Sequence, residues 1–176
     1  MHGCEILGIT TSAGNATLED VLNNTQLVIT TAGRSDIPIY KGDEVLHEGF
    51  KSDEAHYGVD GFGGYQVEVN AVEPIKLVSV QDQPAADFLV DIVKKNPNEI
   101  TLLLLAPLTN IAAAIKKDHE FAKNVKDIFI LGGSYLGIGN VAICQEYNFY
   151  SNPDAAEIVI ETFRDVTIIP WDIIKY

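Results

Sequence analysis

The stretch EITLLLLAPLTNIAAAIKK, residues 99–117, joins a short apolar run to a segment of helical period. The run at 99–106 predicts a buried strand, and residues 108–117 predict a helix. The same alternation recurs along the chain. Further strands are predicted at 5–11, 36–42, 127–133 and 166–172, and further helices at 18–33, 84–95 and 153–163. Apolar strands that alternate with helices are typical of a parallel sheet covered by helices on both faces, so the sequence predicts an α/β fold.

Composition limits the class of protein. The chain has 176 residues, 47% of them hydrophobic, which predicts one domain over residues 1–176. A formal net charge of −13 disfavours nucleic acid and anionic membrane surfaces as partners. Cys4 and Cys144 lie outside any CxxC motif, and no apolar run reaches the roughly eighteen residues of a membrane span. We therefore expect a cytoplasmic protein in a reducing compartment.

Candidate ligand residues follow the predicted strands. Ligands of open parallel sheets bind outside the carboxyl ends of the strands, where Asn15, residues 107–110, residues 139–148 and Trp171-Asp172 lie. The polar, glycine-bearing segment 43–83 lacks a regular period, apart from a short strand expected near 75–80, and this predicts a functional loop or lid.

Some of these residues have ordinary structural explanations. Asn15 and Thr109-Asn110 are also compatible with helix starts, where short polar side chains bind the first N–H groups. Asn152-Pro153-Asp154 predicts an N-cap, a proline at the first helical position and an acid at the positive helix end. Gly132–Gly139 does not match the G-x-G-x-x-G dinucleotide fingerprint.

Asn140, Glu146 and Asn148 suggest a polyol ligand. Glu146 and Asn148 are two residues apart, so an extended chain would point both side chains the same way, with Tyr147 opposite. A carboxylate accepts hydrogen bonds from sugar hydroxyls, whereas an amide both donates and accepts them. The three side chains are therefore candidate sugar contacts.

Four segments together resemble the inosine-uridine preferring nucleoside hydrolase family, in order and spacing, over essentially the whole chain. They are EILGITTSAGNATLEDV (5–21), LLLAPLTNIAAAI (103–115), ILGGSYLGIGNVAICQEYNFYSNPDAAEIV (130–159) and IIPWDI (168–173). The resemblance implies a Rossmann-like, open, mostly parallel sheet in a homodimer or homotetramer. It also implies hydrolysis of the N-glycosidic bond of ribonucleosides with a bound calcium ion.

The resemblance also implies roles for individual residues. Asn15 matches an active-site asparagine, and Asn140, Glu146 and Asn148 match the residues that bind the ribose hydroxyls. Tyr147 matches an aromatic residue that lines the same pocket, and the backbone carbonyl of Leu105 matches one that binds calcium. Tyr57 stands where the family often has a histidine, with His56 beside it, so both are candidate contacts of the base.

Two family elements are not found in this sequence. An Asp-x-Asp-Pro-Gly-x-Asp-Asp motif, which supplies calcium carboxylates and the general base, is expected upstream of Met1, and a His-Asp pair is expected downstream of Tyr176. We therefore expect a fold truncated at both ends, no catalytic residue within these residues, and calcium only in the complete protein. The alternative is a non-catalytic nucleoside-binding or interaction protein.

Overall fold

A computed structural model describes residues 4–46, 48, 54–64 and 76–174. The chain divides into two units, each described here by itself. Unit 1 comprises Met1–Glu44 and Lys51–Ala85, and unit 2 comprises Val45–Phe50 and Ala86–Tyr176. The expectation of a single domain stays a prediction.

Unit 1 contains a three-stranded parallel sheet in the order β1-β2-β3. Ile39 of the central strand pairs with Ile9 on one side and Val80 on the other, and it is fully buried. The elements are β1 (Ile9–Thr10), α1 (Leu18–Thr31), β2 (Ile39–Tyr40), α2 (Glu54–Tyr57) and β3 (Val80–Gln81). The strands are shorter than predicted, and Ile75 of the strand expected near 75–80 lies outside the described residues.

Helix α1 begins at a side-chain cap. The Thr17 hydroxyl accepts a hydrogen bond from the Asp20 N–H at 3.2 Å, which satisfies one of the unpaired donors at the helix start. Glu19 and Asp20 add negative charge in the first turn, where the helix dipole favours it. Asn15 therefore does not cap this helix.

Unit 2 contains a second parallel sheet in the order β4-β5-β6. Leu102 lies opposite Ile128, and Ile130 lies opposite Ile168. The elements are α3 (Ala85–Lys95), β4 (Thr101–Leu104), α4 (Thr109–Lys117), α5 (Phe121–Asn124), β5 (Asp127–Leu131), α6 (Tyr147–Ser151), α7 (Pro153–Thr162), β6 (Thr167–Ile169) and α8 (Trp171–Ile174). Every pairing between these described strands is parallel, which confirms the predicted α/β class.

The core of unit 2 lies where α4 and α7 pack together beside the sheet. Leu102, Ile128 and Ile130 are buried in the same cluster as the small and branched residues of the two helices. Asn152 caps α7 by accepting from the Ala155 N–H at 3.0 Å, which confirms the predicted cap. This packing fixes β4 and β5 relative to α4 and α7.

Two local predictions in unit 2 are wrong. The last strand ends at Ile169, and Trp171-Asp172 begin helix α8 instead of extending the strand. Pro170 favours this change because it has no N–H to donate to a sheet. The segment around Tyr147 and Asn148 is helical rather than extended.

Candidate functional site

Glu146 occupies the N-cap of α6 and binds three backbone N–H groups through its carboxylate. Oε1 accepts from Asn148 at 3.0 Å, and Oε2 accepts from Gly133 at 2.9 Å and from Phe149 at 3.2 Å. The residue is only 7% exposed. Since a carboxylate offers about four lone-pair positions, roughly one acceptor position is left for another donor.

Asn140 reaches the same turn of α6 from the preceding loop. Its Oδ1 accepts a hydrogen bond from the Tyr147 N–H at 2.8 Å. Because an N–H donor requires an oxygen as its partner, this bond fixes which end of the amide points at the helix. The Nδ2 group of Asn140 is left as a donor on an exposed residue.

Asn148 spans the carboxyl ends of two neighbouring strands. Its Nδ2 donates to the Leu131 carbonyl at 2.9 Å, at the end of β5, and makes a longer contact of 3.5 Å with the Leu105 carbonyl, just after β4. Carbonyl acceptors require the nitrogen of the amide, so Oδ1 is left as an acceptor. The structure thus brings together Asn148 and Leu105, two of the predicted site residues.

The expected strand geometry of Glu146 and Asn148 is not observed. Glu146 has extended backbone, but α6 begins at Tyr147, so Asn148 lies within a helical turn. The reason is the pair of caps just described, because Asn140 and Glu146 supply acceptors for the first N–H groups of α6. Tyr147 itself is half-buried, and its carbonyl accepts from the Ser151 hydroxyl.

A cavity of about 700 Å³ lies beside Glu146. Most of its wall is apolar or aromatic, and Asn140, Tyr147 and Asn148 are not among its lining residues. Its other lining residues include Tyr135, Cys144, Phe149, Tyr150, Ile168 and Pro170. The three predicted sugar contacts therefore share the start of α6 but not one cavity.

Asp172, one of the candidate ligand positions after the predicted strands, binds the loop that follows β5. From the first turn of α8 its carboxylate accepts from the Tyr135 N–H at 2.6 Å, the Leu136 N–H at 3.3 Å and the Ser134 hydroxyl at 3.3 Å. Desolvation, the largest single influence, raises the pKa of the Asp172 carboxyl, but these hydrogen bonds together lower it below its ordinary value. The signal in the sequence is a lone acid after Pro170, which by itself does not name a partner.

In unit 1, Asn15 and Tyr57 line one pocket of about 360 Å³. Asn15 is exposed, and Tyr57 is 37% exposed. The ring of His56, which is not a lining residue, meets Tyr57 edge-on with 4.6 Å between ring centroids. The structure thus brings Asn15 and Tyr57 together, with His56 packed against Tyr57.

A glycine turn at residues 58–64 forms one side of this pocket. Oδ1 of Asp60 accepts from the N–H groups of Phe62 and Gly64, each at 2.9 Å. These bonds lower the pKa of the Asp60 carboxyl, and a smaller desolvation effect opposes them. Gly61 lies against Ala16, because a Cβ atom on this glycine would be 2.4 Å from the Ala16 Cβ.

The residues present do not form a calcium site by themselves. Calcium takes about six to eight oxygen ligands, mostly carboxylates and carbonyls. Within residues 4–46, 48, 54–64 and 76–174, no three His, Cys, Asp or Glu side chains come together as a metal site. The Leu105 carbonyl is one candidate ligand, and it faces the Asn148 amide. In the same part of the chain, no helix is long and apolar enough to cross a membrane.

Comparisons with known proteins agree on one family. The model of the inosine-uridine preferring nucleoside hydrolases matches residues 1–176. Uridine nucleosidase 1 of Arabidopsis thaliana is 40% identical over 168 residues, which are 94% of this chain and 48% of the plant protein. The structure of a purine-preferring ribonucleoside hydrolase from Gardnerella vaginalis matches with a TM-score of 0.86 and 30% identity, over 96% of this chain and 53% of that one.

A plant nucleoside hydrolase structure matches similarly, with a TM-score of 0.82 and 33% identity, over 96% of this chain and 52% of that one. The chain therefore spans about half the length of the relatives it matches. The match over residues 1–176 places this chain in the inosine-uridine preferring nucleoside hydrolase family.

Proposed function

We propose that the protein to which this chain belongs hydrolyses the N-glycosidic bond of ribonucleosides, releasing ribose and the base. In this proposal Asn140, Glu146 and Asn148 bind the ribose hydroxyls, and Tyr147, in the first turn of α6 but outside the lining of the cavity beside Glu146, contacts the substrate next to them. The observation that carries the proposal is the arrangement of these three polar side chains around the first turn of α6 and the ends of β4 and β5.

The hydrogen bonds within the protein determine whether each remaining polar atom can donate to the sugar or accept from it. Asn140 uses its oxygen on the Tyr147 N–H and so offers a donor, whereas Asn148 uses its nitrogen on strand-end carbonyls and so offers an acceptor. Glu146 keeps about one acceptor position on its carboxylate. Each sugar hydroxyl both donates and accepts, so a set of one donor and two acceptors suits a vicinal diol.

Rigid placement supports the same role. Each of the three side chains is held by at least one backbone partner, and Glu146 by three. Side chains fixed before the ligand arrives lose little conformational entropy when they bind it. Hydrolysis then requires water to add at the anomeric carbon while the carbon–nitrogen bond breaks and the base takes a proton. The three side chains bind and orient the sugar for that step.

Other parts of the proposal rest on the family alone. Calcium is proposed for the whole protein, with the Leu105 carbonyl as one ligand, because the described residues do not form a complete site for the ion by themselves. Asn15 is proposed to support the substrate, and His56 and Tyr57 to contact the base, which agrees with the pocket shared by Asn15 and Tyr57. A cytoplasmic homodimer or homotetramer is proposed on the same basis.

Release of base from uridine and inosine tests the proposal. The native protein, at the length its gene encodes, is incubated with each nucleoside, and the base is quantified by chromatography. We expect turnover in the wild type and a loss of about tenfold or more in kcat/KM for Glu146→Gln, because the amide places a donor against N–H groups. Glu157→Gln, an exposed acid on α7, is the matched control and keeps full activity.

Binding without turnover would contradict the hydrolase proposal. A wild-type protein that binds uridine in calorimetry but releases no uracil, with or without calcium, would favour the alternative of a non-catalytic nucleoside-binding protein. Equal activity of Glu146→Gln and Glu157→Gln would remove Glu146 from the sugar site. Both nucleosides are tested because the names of the relatives include a uridine nucleosidase and a purine-preferring hydrolase.

A further inference from the structure

Residues 132–145 form an irregular loop between β5 and α6. It carries large apolar side chains into solvent, with Tyr135 86% exposed and Ile143 91% exposed. Such side chains contribute little packing to hold a loop in one conformation. The position of Asn140 within this loop must therefore come mainly from polar contacts.

Asp172 supplies contacts to the first part of this loop. Its Oδ2 accepts from the Tyr135 N–H, and its Oδ1 accepts from the Leu136 N–H and the Ser134 hydroxyl. The neighbouring residue adds a backbone bond, from the Trp171 N–H to the Gly133 carbonyl at 2.9 Å. Together these bonds attach the start of the loop to the first turn of α8.

The Ser134 hydroxyl extends this attachment toward Asn140. It donates to Asp172 and accepts from the Ile138 N–H at 2.9 Å. Ile138 is followed by Gly139, whose N–H donates to the Ile143 carbonyl at 3.0 Å, and then by Asn140, whose N–H donates to the Gln145 carbonyl at 3.1 Å. A continuous series of hydrogen bonds and short backbone segments thus connects Asp172 with Asn140.

The turn around Gly139 is tightly packed, so a displacement of Ile138 is passed on to Asn140. A Cβ atom on Gly139 would lie 2.2 Å from the Ala142 carbonyl oxygen and 2.3 Å from the Gln145 N–H. These contacts join Gly139 to later residues of the same turn, so residues 139–145 have little room to move relative to one another and follow Ile138 as one unit. A shift at Ile138 is therefore expected to displace Asn140 and the bond it makes with the Tyr147 N–H.

We propose that Asp172 is a positioning residue that, through Ser134 and Ile138, holds Asn140 in place for the sugar. The inference rests on the proposed function, in which Asn140 contacts ribose. Both carboxylate oxygens of Asp172 are engaged by the N–H groups of Tyr135 and Leu136 and by the Ser134 hydroxyl. In this proposal Asp172 therefore acts on the sugar through the loop.

Amide hydrogen exchange tests this proposal without requiring activity. In the native protein, Asp172→Asn places an amide group against backbone donors, and we expect exchange about tenfold faster at Tyr135, Leu136 and also Tyr147, whose N–H binds Asn140. Asp165→Asn, an exposed acid just before β6, is the control and leaves all three unchanged. Faster exchange at Tyr135 and Leu136 with no change at Tyr147 would overturn the proposal.

Ser134→Ala provides a second test if Asp172→Asn fails to fold. It removes the hydroxyl that joins Asp172 to Ile138 and leaves the Asp172 bond to the Tyr135 N–H intact. We expect faster exchange at Ile138 and Tyr147 and normal exchange at Tyr135. Normal exchange at Tyr147 in this variant would also overturn the proposal.

Kinetics in a double-mutant cycle separate positioning from general destabilisation. We expect Asp172→Asn to lower kcat/KM about tenfold, mainly through KM, but less than about twofold when Asn140→Ala is already present. An equal loss of kcat/KM in the wild type and in Asn140→Ala would show that Asp172 does not act through Asn140. If the wild type turns over no nucleoside, the proposed function fails, and exchange at Tyr147 still decides the positioning role.

Discussion

The glycine turn at residues 58–64 and the loop at residues 132–145 are each anchored by one aspartate, but over very different sequence distances. Asp60 binds the N–H groups of Phe62 and Gly64, two and four residues away. Asp172 binds the N–H groups of Leu136 and Tyr135, 36 and 37 residues away. The first anchor needs only a local turn, whereas the second exists only after β5 and β6 have paired.

The largest expected effect is in the local turn, at Gly61. Gly61→Ala places a Cβ atom 2.4 Å from the Ala16 Cβ, and the residue also has a φ of +67°. We expect it to lower the free energy of unfolding by about 4 kcal/mol, from overpacking together with left-handed backbone strain. Gly63→Ala is the matched control, with a φ of +74° and open space around it, and should cost about 1 kcal/mol.

Urea unfolding of the native protein measures both variants. Equal costs for Gly61→Ala and Gly63→Ala would show that the glycine turn does not lie against Ala16 as described. The description of the glycine turn would then be wrong, because the hydrogen bonds of Asp60 within the turn would not determine which residues the turn packs against.

A smaller effect is expected in the distant loop, at Gly139. Gly139→Ala places a Cβ atom against backbone atoms of Ala142 and Gln145, which cannot rotate away as a side chain can. We expect a loss of about 3 kcal/mol from overpacking, against about 1 kcal/mol for Gly137→Ala, which has a φ of +67° and open space. If Gly139→Ala folds with a normal urea midpoint, the turn is loose and Asp172 has no route to Asn140.

The two aspartates should differ when each is replaced by asparagine. Asp60 uses only Oδ1 for both of its bonds, and asparagine keeps an oxygen there, so we expect exchange at Phe62 and Gly64 to rise less than about twofold. Asp172 uses both oxygens, so one contact must face an NH₂ group, and the tenfold effect described above is expected. Similar effects of Asp60→Asn and Asp172→Asn would remove the distinction between the anchors.

Much of the fold could be predicted because its causes lie within short segments. The apolar run at 99–106 and the helical period at 108–117 are local properties, as is the cap at Asn152 followed by Pro153. The family prediction is confirmed over residues 1–176. The strands were predicted too long because strand ends depend on partners, which a single sequence does not contain.

The conformation of the candidate site could be predicted only in part. Asn140, Glu146 and Asn148 lie around the start of α6, whereas the sequence predicts an extended chain from Glu146 to Asn148. Glu146 binds Gly133, thirteen residues earlier, and it is this long-range bond, together with the caps, that fixes the start of α6. The hydrogen bonds of Asp172 could not be predicted for the same reason, because their partners lie in the loop that follows β5.

The smallest expected effect is a dependence on pH at Asp60. The pKa of the Asp60 carboxyl is lower in the folded state than in the unfolded state, where it is about 3.9. The ionised carboxylate therefore stabilises the turn fully above about pH 3.9, and this stabilisation is lost as the pH falls through the lower folded-state pKa. Exchange at Phe62 and Gly64, corrected for the intrinsic rate, should therefore be constant from about pH 7 to 5 and rise only below about pH 4. Asp60→Asn should not show this rise. A rise in the wild type already above about pH 5 would contradict the attribution of the effect to the Asp60 carboxyl.

The measurement that tests the central claim most directly is nucleoside turnover by the native protein carrying Asn148→Ala. The claim is that the strand-end amide of Asn148, beside Asn140 and Glu146, binds the sugar of a nucleoside that the protein hydrolyses. We expect kcat/KM for uridine or inosine to fall by about tenfold to a hundredfold, with Asn23→Ala, an exposed amide on α1, unchanged. Activity of Asn148→Ala within about twofold of Asn23→Ala would contradict the account.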